Sequence, residues 1–485
     1  MTTVRNVDLV VPLALEATAM RIAETAGLVA RSRSGAVSPL TDRDGRQGDV
    51  DSTNKRSASQ VLPGIRISTM ETRIGTTPTT SAALSPSAAQ SVRHHADFSF
   101  EELVKAYFDC RRAKRNSASA LAFEKNQERN LFQLYTELQE GSYCPGRSIC
   151  FVITRPKPRE VWAADFRDRI VHHLLYNRIS PRFYAGFIAD SCACILGRGT
   201  LYGAKRLESK VRSITQNWSK SAYYLKLDLA NFFVSIDKRT VRDLLAKRIT
   251  EPWWMALTEQ VLFHDPREDY ELRGHPNLLQ RVPKHKRLTS HPAHLGLPIG
   301  NLSSQFFANV LLDALDQHIK HDLRCKHYIR YVDDMVLLHR SPQWLNEARA
   351  DIEAWLPEHL GLRLNPSKTI LQPVDRGVDF VGQIIRPWRR TTRRRTFNEA
   401  INRAGQIPGN ELFETANSYF GLLRQASHSH RDRAKLANVL RYRGHCIKSD
   451  LTKIYRTGNK TTTVVRRQSK EQQQHGKPAP GQQAF

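Results

Sequence analysis

Two adjacent aspartates, Asp333 and Asp334, lie in the segment YIRYVDDMVLL between two short apolar runs. These runs predict strands at Tyr328–Tyr331 and Met335–Leu338, so the aspartates fall at a hairpin turn. Adjacent carboxylates repel each other, and a bound cation would relieve that repulsion. On its own, the pair is also what an ordinary acidic turn contains.

A third carboxylate, Asp228, ends another apolar run, Tyr223–Asp228, which also predicts a strand. If the strands are neighbours, three carboxylates converge at one point. That arrangement suits two Mg²⁺ ions about 4 Å apart, with Mn²⁺ as a substitute. One ion would activate a 3′-hydroxyl, and the other would steady a triphosphate and its leaving group.

Further segments follow in a fixed order around these carboxylates. They are RPKPRE (Arg155–Glu160), LDLANFF (Leu227–Phe233), GLPIGNLSSQFFAN (Gly296–Asn309), YVDD (Tyr331–Asp334), LGLRLNPSKT (Leu360–Thr369) and VDFVGQII (Val378–Ile385). In this order and spacing, the chain resembles reverse transcriptases of the right-hand polymerase type from about residue 100 to 445. The resemblance implies an α/β (α+β) right hand with fingers, a palm whose antiparallel sheet carries the aspartates, and an α-helical thumb. It also implies RNA-directed DNA synthesis from an RNA template, a DNA or RNA primer and dNTPs.

The resemblance assigns roles to single residues near the nucleotide. Lys157 and Arg159 would contact the incoming triphosphate, where charge develops on the leaving pyrophosphate. Phe233, five residues after Asp228, would exclude a 2′-hydroxyl and so select deoxynucleotides. Lys368 would lie near the leaving group as a general acid.

The segment around Gly300 indicates a subgroup. Gly300 would allow a close backbone approach to nucleotide or template. Many relatives carry Gln before this glycine and Pro at the end of the motif, where this chain has Ile299 and Gln305. This form resembles the reverse transcriptases of diversity-generating retroelements, with group II intron and retron-like bacterial relatives. It implies mutagenic retrohoming, error-prone copying of template adenines and a small basic accessory protein.

Two later segments are expected to hold nucleic acid. Phe380 and Gly382 match the primer-grip turn of the family. The run RPWRRTTRRR contains six arginines that resemble a phosphate-gripping thumb: Arg386, Arg389, Arg390, Arg393, Arg394 and Arg395. We expect binding by this region to depend strongly on salt.

The composition fits a nucleic-acid partner. The 485 residues contain 74 Lys and Arg against 47 Asp and Glu, for a formal net charge of +27. Such an excess points to a polyanion. The predicted organisation is a disordered low-complexity extension at 1–95, fingers with the start of the palm at 96–222, palm at 223–385 with an inserted segment at about 264–296, a basic helical thumb at 386–458 and a disordered tail at 459–485.

Other site types receive little support. The seven cysteines form no CxxC pair, which predicts reduced thiols and a cytoplasmic protein. The histidine clusters lack the spacing of zinc ligands, and no apolar run of about 18 residues predicts a membrane span. We also expect neither an RNase H carboxylate cluster nor an HNH-type endonuclease.

Three alternatives stay open. The first is an antiphage defence reverse transcriptase, whose cDNA product itself serves immunity. The second is a non-catalytic, maturase-like RNA-binding scaffold, which the three intact aspartates disfavour. The third is an RNA-dependent RNA polymerase, which Phe233 disfavours.

Overall fold

A computed structural model describes residues 96–112, 117–154, 157–386 and 388–455. The strands are β1 (Ser148–Ile153), β2 (Arg159–Ala163), β3 (Tyr223–Asp228), β4 (Tyr270–Arg273), β5 (His327–Tyr331), β6 (Asp334–His339), β7 (Ile370–Pro373), β8 (Val378–Phe380), β9 (Gln383–Arg386) and β10 (Arg389–Thr392). The helices are α1 (Phe100–Arg112), α2 (Ala118–Glu124), α3 (Gln127–Glu140), α4 (Phe166–Tyr184), α5 (Thr200–Ile214), α6 (Phe232–Ser235), α7 (Lys238–Ala246), α8 (Pro252–Phe263), α9 (Asn277–Gln280), α10 (Leu302–Gln317), α11 (Pro342–Leu360), α12 (Arg394–Gln406), α13 (Gly409–Leu423) and α14 (His430–Tyr442).

The central sheet is antiparallel, with strand order β5-β6-β3-β7. Successive side chains of a strand point to opposite faces of the sheet, and both faces of this sheet are buried. On β6, Met335 and Leu337 join the largest core cluster, whereas Val336 and Leu338 join a second cluster. The largest cluster includes residues of α4, α10 and α11, and the second includes residues of α5, β8 and β9. These two layers hold the strand ends that carry the aspartates.

A smaller sheet, β2-β1-β4, precedes the central sheet in sequence. β1 and β2 are antiparallel and joined by the basic turn, whereas β4 pairs with β1 in parallel. β4 comes from the segment predicted as an insertion at about 264–296. The segment is attached through Glu160 of β2, whose carboxylate accepts a hydrogen bond from the backbone N–H of Leu288.

A third antiparallel sheet, β10-β9-β8, leads into the last three helices. α12, α13 and α14 form their own apolar cluster, which includes Leu412, Phe420 and Leu436. The C-terminal helices are therefore packed mainly on one another.

The mixed fold with antiparallel sheets is confirmed. β3 has the predicted bounds, but β6 begins one residue earlier than predicted, because Asp334 pairs in register with Asp228 and Tyr331. α10 ends at Gln317 and continues as a π-helical turn, His318–Asp322. The extension predicted at 1–95 and the tail at 459–485 lie outside the described residues. Within the described residues, no helix has the length and apolar character needed to cross a membrane.

Candidate active site

Asp228 and Asp334 lie directly opposite each other on β3 and β6. Since β3 and β6 are antiparallel neighbours, the Cβ atoms of directly opposed residues are about 5 Å apart and on one face of the sheet. Asp333 belongs to the turn that precedes Asp334. The predicted convergence of three carboxylates therefore follows from strand register.

The turn before Asp334 has an unusual backbone. Val332 has φ of 55°, a left-handed conformation that is rare for a β-branched residue. Its carbonyl oxygen accepts a hydrogen bond of 3.0 Å from the guanidinium of Arg330. Arg330 is 1% exposed and pairs at 2.7 Å with the fully buried Asp316 of α10. A buried ion pair beneath the sheet thus braces the turn that presents the aspartates.

Burial and repulsion from neighbouring carboxylates make Asp333 and Asp334 hard to ionise. Burial raises the pKa of Asp334 to about 6. The charges of Asp333 and Asp228 add to this rise, and Lys226 opposes it. Burial and the charge of Asp228 also raise the pKa of Asp333, whereas Lys368 and Arg159 oppose that rise. A cation among the three carboxylates would favour their ionised forms.

Two lysines contact the carboxylates. Lys226 Nζ lies 3.0 Å from Asp334 Oδ2, and Lys368 Nζ lies 2.6 Å from Asp228 Oδ1. Asn365 adds a side-chain hydrogen bond of 3.3 Å to Asp228 Oδ1, and its backbone N–H donates to the carbonyl oxygen of Asp228. Across the described ranges, no three His, Cys, Asp or Glu side chains are arranged as a ready metal site. The carboxylates here have ammonium groups as their neighbours.

The carboxylate atoms nevertheless fit a hard cation. Asp334 Oδ1 is buried and has no hydrogen-bond partner in the described part of the chain. A buried carboxylate oxygen without a partner is costly, and a divalent ion would satisfy it. The donor set consists of carboxylate oxygens, which Mg²⁺ prefers. The residues present therefore fit Mg²⁺ better than a softer metal.

The predicted triphosphate contacts lie at the β1–β2 turn. Lys157 and Arg159 are both exposed. Arg159 is close enough to the aspartates for its charge to lower the pKa of Asp333. At least Arg159 therefore acts electrostatically on the same site.

Phe233 is half-buried and packs against the largest core cluster, whereas its neighbour Phe232 is 3% exposed. The carbonyl oxygen of Phe233 accepts a hydrogen bond of 2.8 Å from Leu297, so the turn after β3 is fixed to the segment that precedes α10. Phe232 is therefore the core residue of the pair.

The structure gives Gly300 a different neighbour from the predicted one. Its φ is 131°, and a Cβ would lie 2.8 Å from Val161 Cγ1 and 2.9 Å from the carbonyl oxygen of Trp162. The close approach is therefore to β2 of the chain itself, and nothing larger than glycine fits. Gln305 is half-buried in the first half of α10.

The predicted primer-grip residues divide into one buried and one turn residue. Phe380 is fully buried in the second core cluster, so it supports the turn and does not offer a contact surface. Gly382 has φ of 82°, and a Cβ there would meet nothing within 4 Å. Its conformation, and not crowding, favours glycine.

The arginine run also divides. Arg386, Arg389, Arg394 and Arg395 are exposed. Arg390, also predicted to bind nucleic acid, has a buried guanidinium that lies 2.7 Å from Glu208 of α5. Arg393 is half-buried in an ion pair with Asp379. Sequence alone cannot separate these two groups of arginines.

Three residues of the site were missed from the sequence: Lys226, Asn365 and Arg330. Lys226 could have been found, since it lies two residues before Asp228 and so on the same face of a strand. Asn365 could also have been considered, because it lies in the segment LGLRLNPSKT, three residues before Lys368. Arg330 depends on a partner in α10 and has no such local signal.

Residues 156–385 match the family described as reverse transcriptase (RNA-dependent DNA polymerase). The matched segment is slightly less than half of the chain and contains all three aspartates. Over these residues the chain is therefore similar to reverse transcriptases.

Among solved structures, the chain is similar to the telomerase of Candida albicans in complex with a fragment of telomeric RNA. That match has 12% identity and a TM-score of 0.35, and it covers 61% of this chain and 55% of that chain. Apo telomerase from Candida tropicalis matches with 11% identity and a TM-score of 0.39, covering 61% and 56%. The chain thus spans about half the length of these structures. No curated protein has a significant sequence match.

Proposed function

We propose that this chain is an RNA-directed DNA polymerase that extends a primer along an RNA template. The observation that carries the proposal is the register pairing of Asp228 with Asp334, next to Asp333 in the turn. These carboxylates lie within the residues that are similar to reverse transcriptases. The formal net charge of +27 suits a nucleic-acid template and primer.

Asp228, Asp333 and Asp334 would hold two Mg²⁺ ions, for which Mn²⁺ could substitute. Asp334 Oδ1, buried and without a partner in the described ranges, supports this assignment. When bound, the ions would supply charge stabilisation at the attacking and leaving oxygens. The carboxylates themselves would set the position of that charge at the ends of β3 and β6.

Cationic side chains would act on the triphosphate. Lys157 and Arg159 would neutralise its negative charge from the β1–β2 turn. Lys368, whose Nζ lies 2.6 Å from Asp228, would protonate the leaving pyrophosphate. Phe233 would block the 2′-hydroxyl of a ribonucleotide. Gly300 and Gln305 would support the nascent base pair through the start of α10.

The remaining predicted contacts would hold the duplex. The turn at Gly382, supported by the buried Phe380, would lie against the primer end. Arg386, Arg389, Arg394 and Arg395 would contact backbone phosphates. In this scheme residues 96–222 form the fingers with the start of the palm, 223–385 the palm and 386–458 the thumb.

The biological role we propose is mutagenic retrohoming in a diversity-generating retroelement. Ile299 supports this role, because an apolar residue in place of Gln removes a hydrogen bond that could penalise mispairs. A small basic accessory protein would assist the polymerase. Antiphage defence is the alternative role.

Primer extension by the purified protein tests the activity. The reaction contains heteropolymeric RNA, a DNA primer, dNTPs and Mg²⁺, and the products are sequenced. Asp333→Asn should abolish synthesis. Asp375→Asn is the matched control, because Asp375 is an exposed aspartate in the loop before β8. Equal synthesis by wild type and Asp333→Asn would contradict the proposed active site.

The error spectrum separates the roles. Misincorporation concentrated opposite template adenines supports retrohoming, whereas accurate synthesis favours defence. Failure to synthesise DNA, even with the native RNA and an accessory protein, would favour a maturase-like scaffold. Incorporation of ribonucleotides into the product in preference to deoxynucleotides would favour an RNA polymerase.

A further inference from the structure

Lys226 lies two residues before Asp228 on β3, and so on the face of the sheet that carries Asp228 and Asp334. Its side chain is 15% exposed, which is low for a lysine. The ammonium group donates to Asp334 Oδ2 at 3.0 Å and to the carbonyl oxygen of Asp379 at 2.9 Å. A buried lysine thus joins one aspartate of the site to the β8 backbone.

The two oxygens of Asp334 have different surroundings. Oδ2 accepts the hydrogen bond from Lys226, whereas Oδ1 is buried and has no partner in the described residues. We propose that Lys226 is a positioning residue: it occupies Oδ2, leaves Oδ1 available to the metal, and ties the Asp334 carboxylate to the hairpin of β8 and β9. This inference rests on the proposed function.

The tie continues into the hairpin. The carboxylate of Asp379 pairs with Arg393, whose backbone N–H donates to the carbonyl oxygen of Gly382 at 2.9 Å. Gly382 is in the turn expected to hold the primer end. A continuous series of contacts therefore connects Gly382 to Asp379 and, through Lys226, to Asp334.

The charge of Lys226 has a second consequence. An ammonium group next to Asp334 repels a divalent cation that binds the same carboxylate, and this repulsion is strong at a partly buried site. Lys226 therefore lowers the affinity for metal while it holds the carboxylate to the backbone of β8. Loss of the lysine should strengthen metal binding and weaken primer engagement, two effects of opposite sign.

Lys226→Met, which keeps the length of the side chain but removes its charge, tests this. Calorimetry with Mn²⁺ alone should show about tenfold tighter binding than wild type, because a nearby positive charge is gone. In primer extension, the KM for an RNA–DNA primer–template should rise about fivefold, because the hairpin has lost a charged hydrogen bond. Lys226→Arg keeps the charge and should retain the wild-type Mn²⁺ affinity.

Lys220→Met is the matched control, since Lys220 is exposed in the loop before β3. It should change neither quantity. Urea unfolding of each variant checks the fold, and Lys226→Gln provides a second uncharged variant if Lys226→Met does not fold.

A merely structural role for Lys226 would weaken both Mn²⁺ binding and primer binding, and that outcome overturns the inference. Unchanged values in an active enzyme overturn it as well. If wild type synthesises no DNA and binds no Mn²⁺, the proposed function itself fails, and the inference fails with it.

Discussion

Charges are paired differently at the carboxylate end of the central sheet and in the arginine-rich segment Arg386–Arg395. At the sheet end, three aspartates share two lysines, and one buried oxygen is left without a partner in the described residues. In the arginine-rich segment, Arg390 and Arg393 each form an ion pair with a carboxylate of the chain. Incompletely paired carboxylates favour the binding of a cation, whereas ion-paired side chains stabilise the fold.

The largest expected effect comes from Asp334→Asn. We expect DNA synthesis to fall by about 1,000-fold or more, because a ligand of the catalytic metal is lost. Stability should not fall. The pKa of Asp334 is raised to about 6, so its ionised form destabilises the folded protein above that pH and its neutral form does not. Single-turnover kinetics and urea unfolding at pH 7.5 check both parts.

A strongly destabilised but active Asp334→Asn would contradict this description. It would mean that the Asp334 carboxylate has a structural role, like Glu208 and Asp379, which pair with Arg390 and Arg393.

Arg390→Ala should show the opposite pattern. The variant removes the ion pair with Glu208 and the buried hydrogen bonds to Gln383 and Gln425, so the free energy of unfolding should fall by about 2–3 kcal/mol. Arg389→Ala, at the exposed neighbouring position, should change it by less than about 0.5 kcal/mol. Equal stability of the two variants in urea would show that burial does not separate these arginines.

Phe233→Ala should alter selectivity next to the charged cluster. We expect the ratio of kcat/KM for dNTP over rNTP to fall by about tenfold, because the clash with the 2′-hydroxyl is removed. Phe108→Ala serves as the control, because Phe108 is 55% exposed on α1. Unchanged sugar selectivity in a folded Phe233→Ala would rule out this residue as the gate.

The smallest effect is expected for single exposed arginines. Arg389→Ala or Arg394→Ala should each lower the slope of log affinity for RNA–DNA duplex against log salt by about 0.9, the value for one lost phosphate contact. Arg129→Ala, an exposed position on α3, is the control. Slopes that match wild type would remove these arginines from the interface.

Local sequence predicted much of the site. The strand periodicity around Asp228 and Asp333 was enough to predict the hairpin and its neighbour. Register then brought Asp228 opposite Asp334. The burial of Arg390 could not be predicted in this way, because its partner Glu208 lies about 180 residues earlier in the chain.

Gly300 shows the same limit. A close backbone approach at Gly300 was predicted, but the group that approaches it is the backbone of Trp162 in β2, which is distant in sequence. Arg330 also has no local signal, because its partner Asp316 lies in α10 and the strained φ of Val332 appears only in the folded chain. Sequence patterns predicted residue types and strand faces, whereas the pairing of charges required tertiary contacts.

The most direct test of the central claim is the Mg²⁺ dependence of single-nucleotide incorporation on a defined RNA template. Wild type and Asp375→Asn should incorporate the matched dNTP in a saturable, Mg²⁺-dependent manner. Asp333→Asn should show no incorporation at any Mg²⁺ concentration while it still binds the primer–template. Incorporation by Asp333→Asn at the wild-type rate, or by wild type without a divalent ion, would contradict the assignment of the three aspartates.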